Sequence, residues 1–352
     1  MNTPPSPSGY GRLVHLALFF LFAAVVLCSH DLYLKMETYF LEPGQSATLS
    51  LYNGTFEKSE NLITRDRILD ASVVHRGERA VIAPGRWEDL DSTITRLPFR
   101  TGEPGTYVVG VSTGARDITL AAEKFNDYLA HDGVKDMLDR RTQRGGLDQD
   151  AVERYEKHVK AIYQVGDART DDWQTVLGYP IEFVPQANPY ERHTGEELPV
   201  RLLLDGKPLA GQLVYADYLP AAHTHDHTLP THGHGDGAHA HTTDDHQHAH
   251  THTGGQQLRT DEAGLVTVVL PEDGNYYLRT IHMIETPEEE ALTHRSKWAT
   301  LTFGVSHRHG MDTHTHADHA HDHDHAIPTW IYLLGSLLLI AVLFLVFRTK
   351  AA

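Results

Sequence analysis

The chain has a single cysteine, Cys28, in 352 residues. That excludes an intramolecular disulfide, a thiolate metal cluster and, beyond residue 28, a thiol nucleophile. Methionine is also scarce, at five, which argues against a soft-ligand site specialised for Cu⁺. Basic residues are outnumbered, 30 Lys and Arg against 47 Asp and Glu, for a net charge of −17. Nucleic acid, whose phosphates demand a cationic surface, is therefore not an expected partner. G-x-S-x-G, H-E-x-x-H, a phosphate loop and the dinucleotide-binding glycines are all missing, so no enzymatic activity is expected.

Long apolar runs are confined to the two ends. Leu13–Cys28 follows Arg12 and has the length of a signal-peptide core, so residues 1–29 are expected to be a cleaved leader. Cleavage fits after Cys28 or after Ser29. Cys28 also suggests lipid attachment, but Leu27 is bulky where a small residue is required. Ile327–Phe347 is long enough to cross a bilayer, with Trp330 and Tyr332 at the outer interface. Arg348 and Lys350, in the tail 348–352, mark the cytoplasmic side. The expected location is a bacterial inner membrane, spanned once, with the body in the periplasm.

Between the ends, 27 basic residues face 47 acidic ones, a balance that concentrates cations. Short alternating runs such as "ATLSLYNG", "DASVVH", "STITRLPF" and "GTYVVGVST" predict a first β-sandwich over 30–115. The period then changes. Phe125, Tyr128 and Leu129 fall at helical spacing, followed after Gly133 by Val134, Met137 and Leu138; Val152, Tyr155, Val159 and Ile162 make a further stripe. Asp150 and Glu153 resemble a capping box for that last segment. Residues 116–177 are thus expected to be a helical insertion. Strand patterns return from "GYPIEFVPQ" to "SKWATLTFGV", predicting a second sandwich over 178–305. Glu182, between Ile181 and Phe183, is expected to face solvent. The fold class is mainly β: two Ig-like β-sandwich domains with a short helical insertion, plus one C-terminal transmembrane helix.

The most distinctive feature is histidine. Eleven of the 27 lie in the loop 223–252, at His223, His225, His227, His232, His234, His239, His241, His246, His248, His250 and His252. Eight more fill the juxtamembrane tract 306–326, at His307, His309, His314, His316, His319, His321, His323 and His325. Neutral imidazole is a good ligand for Ni²⁺, Co²⁺, Zn²⁺ and Cu²⁺. Residues two apart in an extended chain point the same way, and a second ligand on the same chain arrives at high effective concentration. Repeated His-x-His therefore predicts multi-site, exchangeable binding of divalent transition metal. Protons should compete below about pH 6, because free imidazole titrates near 6.5. His75, His131, His158, His193 and His294 stand alone and are expected to be surface or half-buried residues rather than ligands.

The order of motifs resembles a known family. "SHDLYL" directly after the leader, "FEKSE" after "LYNG", "FNDYLAHDG", "RYEKHVKAIYQVG", "GYPIEFVPQANPY", "LLLDGKPLAG", "NYYLRTIHM" and "SKWATLTF" together are similar to the periplasmic component of bacterial cobalt/nickel uptake systems. The resemblance spans most of 29–305. It implies a leader, β-sandwich domains and a part in divalent-metal transport, with an inner-membrane metal transporter as partner. It also implies that His30, just after the leader, and His282 match the family's pattern, and a site built from the pair is an expectation. If cleavage follows Ser29, the His30 amine and imidazole are placed to chelate one ion together. Capture of Ni²⁺ or Co²⁺ for uptake is the leading expectation; Zn²⁺ or Cu²⁺ buffering or efflux support, and a β-sandwich interaction protein with His-rich linkers, are the alternatives.

Overall fold

Strand follows apolar alternation in order along the chain. The computed structural model describes residues 30–221, 254–287 and 291–307, which fall within the unit Met1–Arg308; the unit His309–Ala352 lies outside them. The strands are β1 (Asp31–Lys35), β2 (Phe40–Leu41), β3 (Ser46–Gly54), β4 (Ile68–His75), β5 (Glu78–Val81), β6 (Glu88–Leu90), β7 (Ile94–Arg100), β8 (Gly105–Thr113) and β9 (Arg116–Leu120). Two helices follow, α1 (Ala122–His131) and α2 (Lys135–Gln143). Then come β10 (Ala151–Val165), β11 (Ile181–Pro185), β12 (Glu197–Leu204), β13 (Lys207–Pro208), β14 (Leu213–Pro220), β15 (Gln256–Arg259), β16 (Leu265–Val269), β17 (Gly274–Glu285) and β18 (His294–Val305).

A ten-stranded sheet organises the body, in the order β15-β14-β17-β18-β10-β8-β4-β5, with β2 and β9 also pairing with β10. It joins β4, β5 and β8 to β14, β15, β17 and β18 through β10, which runs parallel to β18 and antiparallel to β8. Successive side chains on a strand point to opposite faces. By register, Lys157, Val159, Trp298, Thr300, Arg279 and Ile281 share one face, while His158, Lys160, Leu301 and His282 share the other.

Each face is covered. On the first, the Thr300 and Thr302 hydroxyls donate to the carbonyls of Leu32 (2.8 Å) and Leu34 (2.6 Å), seating β1 and its sheet β1-β3-β7-β6. Beside it, Phe125, Tyr128, Leu129 and Met137 of the helices pack against Ile281, Met283 and Trp298. On the second face lies the sheet formed by β11, β12, β13 and β16. Leu177 and Tyr179 come so close to Gly110 that any side chain there would collide with them.

The helices α1 and α2 form where the 3.6-residue period predicts them, and Gly133 (φ +74°) turns the chain between them. The third stripe in 116–177 is a strand instead. β10 is buried on both faces from Lys157 to Val165, so it shows no polar–apolar alternation. Its apolar residues at positions 152, 155, 159 and 162 mimic a helical stripe by coincidence of spacing. Asp150 therefore opens no helix; its Oδ1 instead accepts the Ala122 N–H at 2.9 Å, at the start of α1. Glu182 is likewise not at the surface. It is 2% exposed, because β11 packs directly on the large sheet.

Among the described residues no helix is long and apolar enough to cross a membrane. The leader 1–29, the loop 223–252, the tract beyond His307 and the proposed span 327–347 lie outside the described residues.

Candidate functional site

Among the described residues, chemistry-bearing side chains gather at the head of β1 and at the corner from which both histidine tracts leave. At the head of β1, Asp31 is buried and accepts from the Tyr33 hydroxyl at 3.1 Å. Arg279 of β17 lies 3.3 Å from Asp31 Oδ2 and donates to the Asp132 carbonyl at 3.0 Å, its guanidinium 4.7 Å from the Tyr215 ring centre. Lys157 of β10 donates to the His30 carbonyl, and to Asn53 Oδ1 at 3.1 Å. Its ammonium also sits 5.0 Å from the Trp298 ring centre, a cation–π contact. Glu153, four residues back along the same face of β10, accepts from Tyr128 at 3.1 Å and from Ser296.

Burial governs how these groups titrate. It pushes the Glu153 carboxyl up to about 7, against the opposing pull of the Ser296 and Tyr128 hydrogen bonds. It pushes Lys157 down to about 8, with Asp31 opposing. A carboxyl raised from the ordinary value binds its proton more tightly in the folded chain than in the unfolded one. Its effect on stability is therefore favourable at low pH and fades as pH rises from the unfolded value through about 7. We expect Glu153→Gln, which keeps an acceptor for Tyr128 and Ser296 but cannot ionise, to gain on the wild type with rising pH. The difference in melting temperature between variant and wild type should be more positive at pH 8 than at pH 5.5. A pH-independent difference would mean that Glu153 stays ionised throughout.

His30 stands at the rim of this cluster. Its side chain is 11% exposed and its Nε2 lies 3.2 Å from Glu60 Oε2. Glu60 is itself fixed, its amide donating to the Asn53 carbonyl at 3.0 Å beside the Gly54–Ser59 bridge. His282 is elsewhere. It is on the opposite face of the large sheet, its Nδ1 3.0 Å from Gln212 Oε1, and it borders a cavity of about 220 Å³ with Lys135, Asp136, Arg140 and Tyr215. Burial, then Lys297, lowers its pKa, which favours the neutral form able to ligate. The structure thus does not bring His30 and His282 together. Among the described residues no group of three or more His, Cys, Asp or Glu side chains is arranged to hold a metal ion.

The tract corner is built on Asp273, in the turn before β17. The His307 imidazole Nδ1 pairs with Asp273 Oδ2, and the Thr194 hydroxyl donates to Oδ1. Burial alone would raise the Asp273 carboxyl, but the bonds from Thr194 and His307 outweigh it and hold the carboxyl below its ordinary value. The carbonyl of the same residue accepts the Ala221 N–H at 3.0 Å. Ala221 is two residues before His223, and His307 opens the second tract. Both histidine-rich segments therefore leave the body at one residue. The first returns at β15, which pairs with β14, so it does connect two strands, as the sequence predicts.

The isolated histidines divide. His158 and His294 are fully buried, contrary to the expected surface or half-buried positions. His158 Nδ1 lies 2.9 Å from the Ser112 hydroxyl, and burial drives His294 down to about 4. His75 stacks on Tyr107 with ring centres 3.9 Å apart. His131 pairs with Asp132 at 2.9 Å, and His193 Nδ1 lies 3.4 Å from the Ser306 carbonyl. The buried Glu153–Lys157–Asp31–Arg279 group and the contact of Glu60 with His30 are not expected from the sequence. The one signal available was charge inside an otherwise apolar run, "VERYEKHVKAIYQV".

Fold and site define a mainly β, sandwich-like protein with a buried ionic cluster at the head of its first strand. The family described as Domain of unknown function (DUF4198) matches residues 27–284, and the chain belongs to it. No curated protein matches the chain. Among solved structures, the D0-D1 domain of Intimin aligns at 8% identity over 78% of this chain and 97% of that one, with a TM-score of 0.17. The Yersinia pseudotuberculosis adhesin InvE aligns at 9% identity over 79% and 58%, with a TM-score of 0.18. Escherichia coli alpha-2-macroglobulin activated by porcine elastase aligns at 9% over 80% and 22%, with a TM-score of 0.17. Similarities this low carry no argument about fold or function.

Proposed function

We propose that this chain is a periplasmic divalent-metal-binding protein, anchored through 327–347, that captures Ni²⁺ or Co²⁺ and hands it to a membrane transporter. The observation that carries the reading is the density of imidazole: 19 of the 27 histidines in two short tracts, mostly at His-x-His spacing, with no thiolate beyond residue 28. Its mechanism is ligand exchange along the tracts, without chemistry on the ion. The common origin of the tracts at Asp273 supports it, because ions released by one find the other close by. An acidic body adds to this by raising the local concentration of cations.

Isothermal titration of the full chain with Ni²⁺ and Co²⁺ at pH 7.5 tests the reading against a variant in which the 19 tract histidines are serine. We expect several equivalents of metal on the wild type and loss of most of them in the variant. Equal uptake by both proteins would overturn it. Growth of cells carrying the variant then separates uptake from buffering. Failure when metal is scarce supports delivery, whereas failure only in excess metal means the tracts lower free Zn²⁺ or Cu²⁺ instead.

A further inference from the structure

We propose that the cavity of about 220 Å³ beside α2 binds a small hydroxycarboxylate, whose carboxylate pairs with Arg140 and whose hydroxyl donates to Nε2 of His282. The site goes beyond the metal-handling reading and does not depend on it: its ligand is an anion, held by the folded body.

The cavity exists because a strand pair ends early. β14 pairs with β17 only as far as Tyr215 opposite Arg279, so from Ile281 to Ile284 that edge of β17 lies open. The space beyond it is walled by α2 and by residues 209–212. Three ties fix α2 in place. The Tyr215 hydroxyl donates to the Gly133 carbonyl at 3.0 Å, Arg259 makes two bonds to Asp136 at 2.8 and 2.9 Å, and Arg144 pairs with Glu285. The cavity is therefore formed before a ligand arrives. Pockets for drug-sized ligands run to roughly 300–1,000 Å³, so this one takes something smaller.

Two observations set its chemistry. The first is the tautomer of His282. Gln212 Nε2 donates to the carbonyls of Leu213 (3.3 Å) and Ile281 (3.1 Å) and to the Thr280 hydroxyl oxygen (3.0 Å), whose own proton goes to the Leu213 carbonyl. The amide is thus fixed, and Gln212 Oε1 can only accept. His282 Nδ1, facing it at 3.0 Å, must carry the proton. In the neutral ring Nε2 keeps its lone pair, and among the described residues nothing donates to it. The second is uncompensated charge. Asp136 is occupied by Arg259, and Asp132 is buried against His131 and Arg279. Lys297, the register partner of His282, is held by Asp205 and Glu156. Lys135 donates to a neutral group, Gln257 Oε1, at 2.9 Å. Arg140 lies on the same face of α2 as Asp136, and among the described residues its guanidinium has no partner. In a chain of net charge −17, this lining is left positive. It suits a carboxylate, which arginine holds with two parallel bonds. It repels an ammonium, which favours a hydroxyl as the donor to Nε2. Met137, Leu213 and Ile281 supply an apolar wall for a short carbon skeleton.

The test uses three probes that share a carbon skeleton: lactate, propionate, which lacks the hydroxyl, and lactamide, which lacks the charge. Saturation-transfer NMR follows their methyl signals on the metal-free full chain at pH 8, where free imidazole is uncharged and the tracts offer no cation. We expect lactate to bind roughly fivefold more tightly than propionate, the effect of one neutral hydrogen bond, and lactamide to bind more weakly than either. Arg140→Gln should weaken lactate by about 10–100-fold, as for a bond to a charged group. His282→Ala should bind lactate and propionate alike, a loss of discrimination that a merely structural role would not produce. Both variants should melt like the wild type, and a variant that does not is replaced by Arg140→Lys or His282→Asn, with the same expectations at smaller size. Lactate bound no more tightly than lactamide, an unchanged affinity in the Arg140 variant, or a preference for lactate that survives loss of His282 would each overturn the proposal. So would loss of lactate binding in the all-serine tract variant, which would put the anion on the tracts. Lactate binding that persists there, whatever the metal titration shows, supports a site in the body alone.

Discussion

Glu182→Ala should be the most destabilising single substitution in the second layer, lowering stability by roughly 5 kcal/mol. Lys160 and Glu182 are both buried and meet at 2.8 Å where β10 faces β11. The ammonium also donates to the carbonyls of Thr175 (2.9 Å) and Phe183 (3.0 Å). The carboxylate accepts three main-chain N–H groups, from Leu177 (2.9 Å), Gly178 (2.9 Å) and Tyr179 (3.2 Å). Removing the carboxylate leaves an uncompensated buried cation, which costs about 3–5 kcal/mol. It also orphans those amides, each worth about 1–3 kcal/mol if no water reaches it. Local relaxation will recover part of the sum. Native proteins hold only about 5–15 kcal/mol in total, so the variant should be close to unfolding at growth temperature.

Two further variants separate charge from amides. Lys160→Met with Glu182→Leu removes both charges but still leaves the three N–H groups, so it should recover part of the loss. Glu182→Gln keeps a carbonyl for one or two of the amides and loses the charge. Chemical denaturation gives the three values. A cost for Glu182→Ala below about 1 kcal/mol, the range of exposed pairs, would mean that water reaches the layer between the sheets.

How legible this was in the sequence depended on how a strand meets water. β3, β4, β7 and β8 lie within stretches assigned as strand from alternation and turn residues. Where a segment is buried on both faces, as in β10, the period-2 signal disappears and the polar residues carry no sign of direction. Lys157, Lys160 and Glu182 look like surface residues because burial of charge is unexpected without a partner, and here the partners are distant in sequence. Lys157 is 127 residues from His30, and Arg279 is 248 from Asp31. The histidine tracts were the opposite case. Their composition announced them without any structure, while their shared origin at Asp273 depends on three strand ends, of β14, β17 and β18, meeting at one corner. Glu60 closes the quoted motif "FEKSE", but its position beside His30 follows from the pairing of β1 with β3 and from the Gly54–Ser59 bridge.

That pairing leads to the second large effect. Asp31→Ala should cost about 3–5 kcal/mol, because it removes the buried carboxylate 3.3 Å from the Arg279 guanidinium, which is itself 1% exposed. For a chain of this size a loss of that order lowers the melting temperature by on the order of 10 °C. The loss should be global, because β1 holds two layers together. It pairs with β3 in the small sheet, and its carbonyls receive Thr300 and Thr302 of the large one. Arg279→Met alone leaves Asp31 buried and should cost a similar amount. The double variant Asp31→Ala, Arg279→Met removes both charges, and should be less destabilised than the sum of the single variants by 1 kcal/mol or more, a roughly sized interaction energy for residues in direct contact. Additive losses would mean that Asp31 is held by Tyr33 and the main chain rather than by Arg279. Hydrogen exchange of the Leu32 and Leu34 amides supplies the local readout. Their protection should fall in step with global stability in Asp31→Ala. If instead they exchange fast while the rest of the large sheet stays protected, β1 detaches by itself, and His30 is held by a strand able to open on its own.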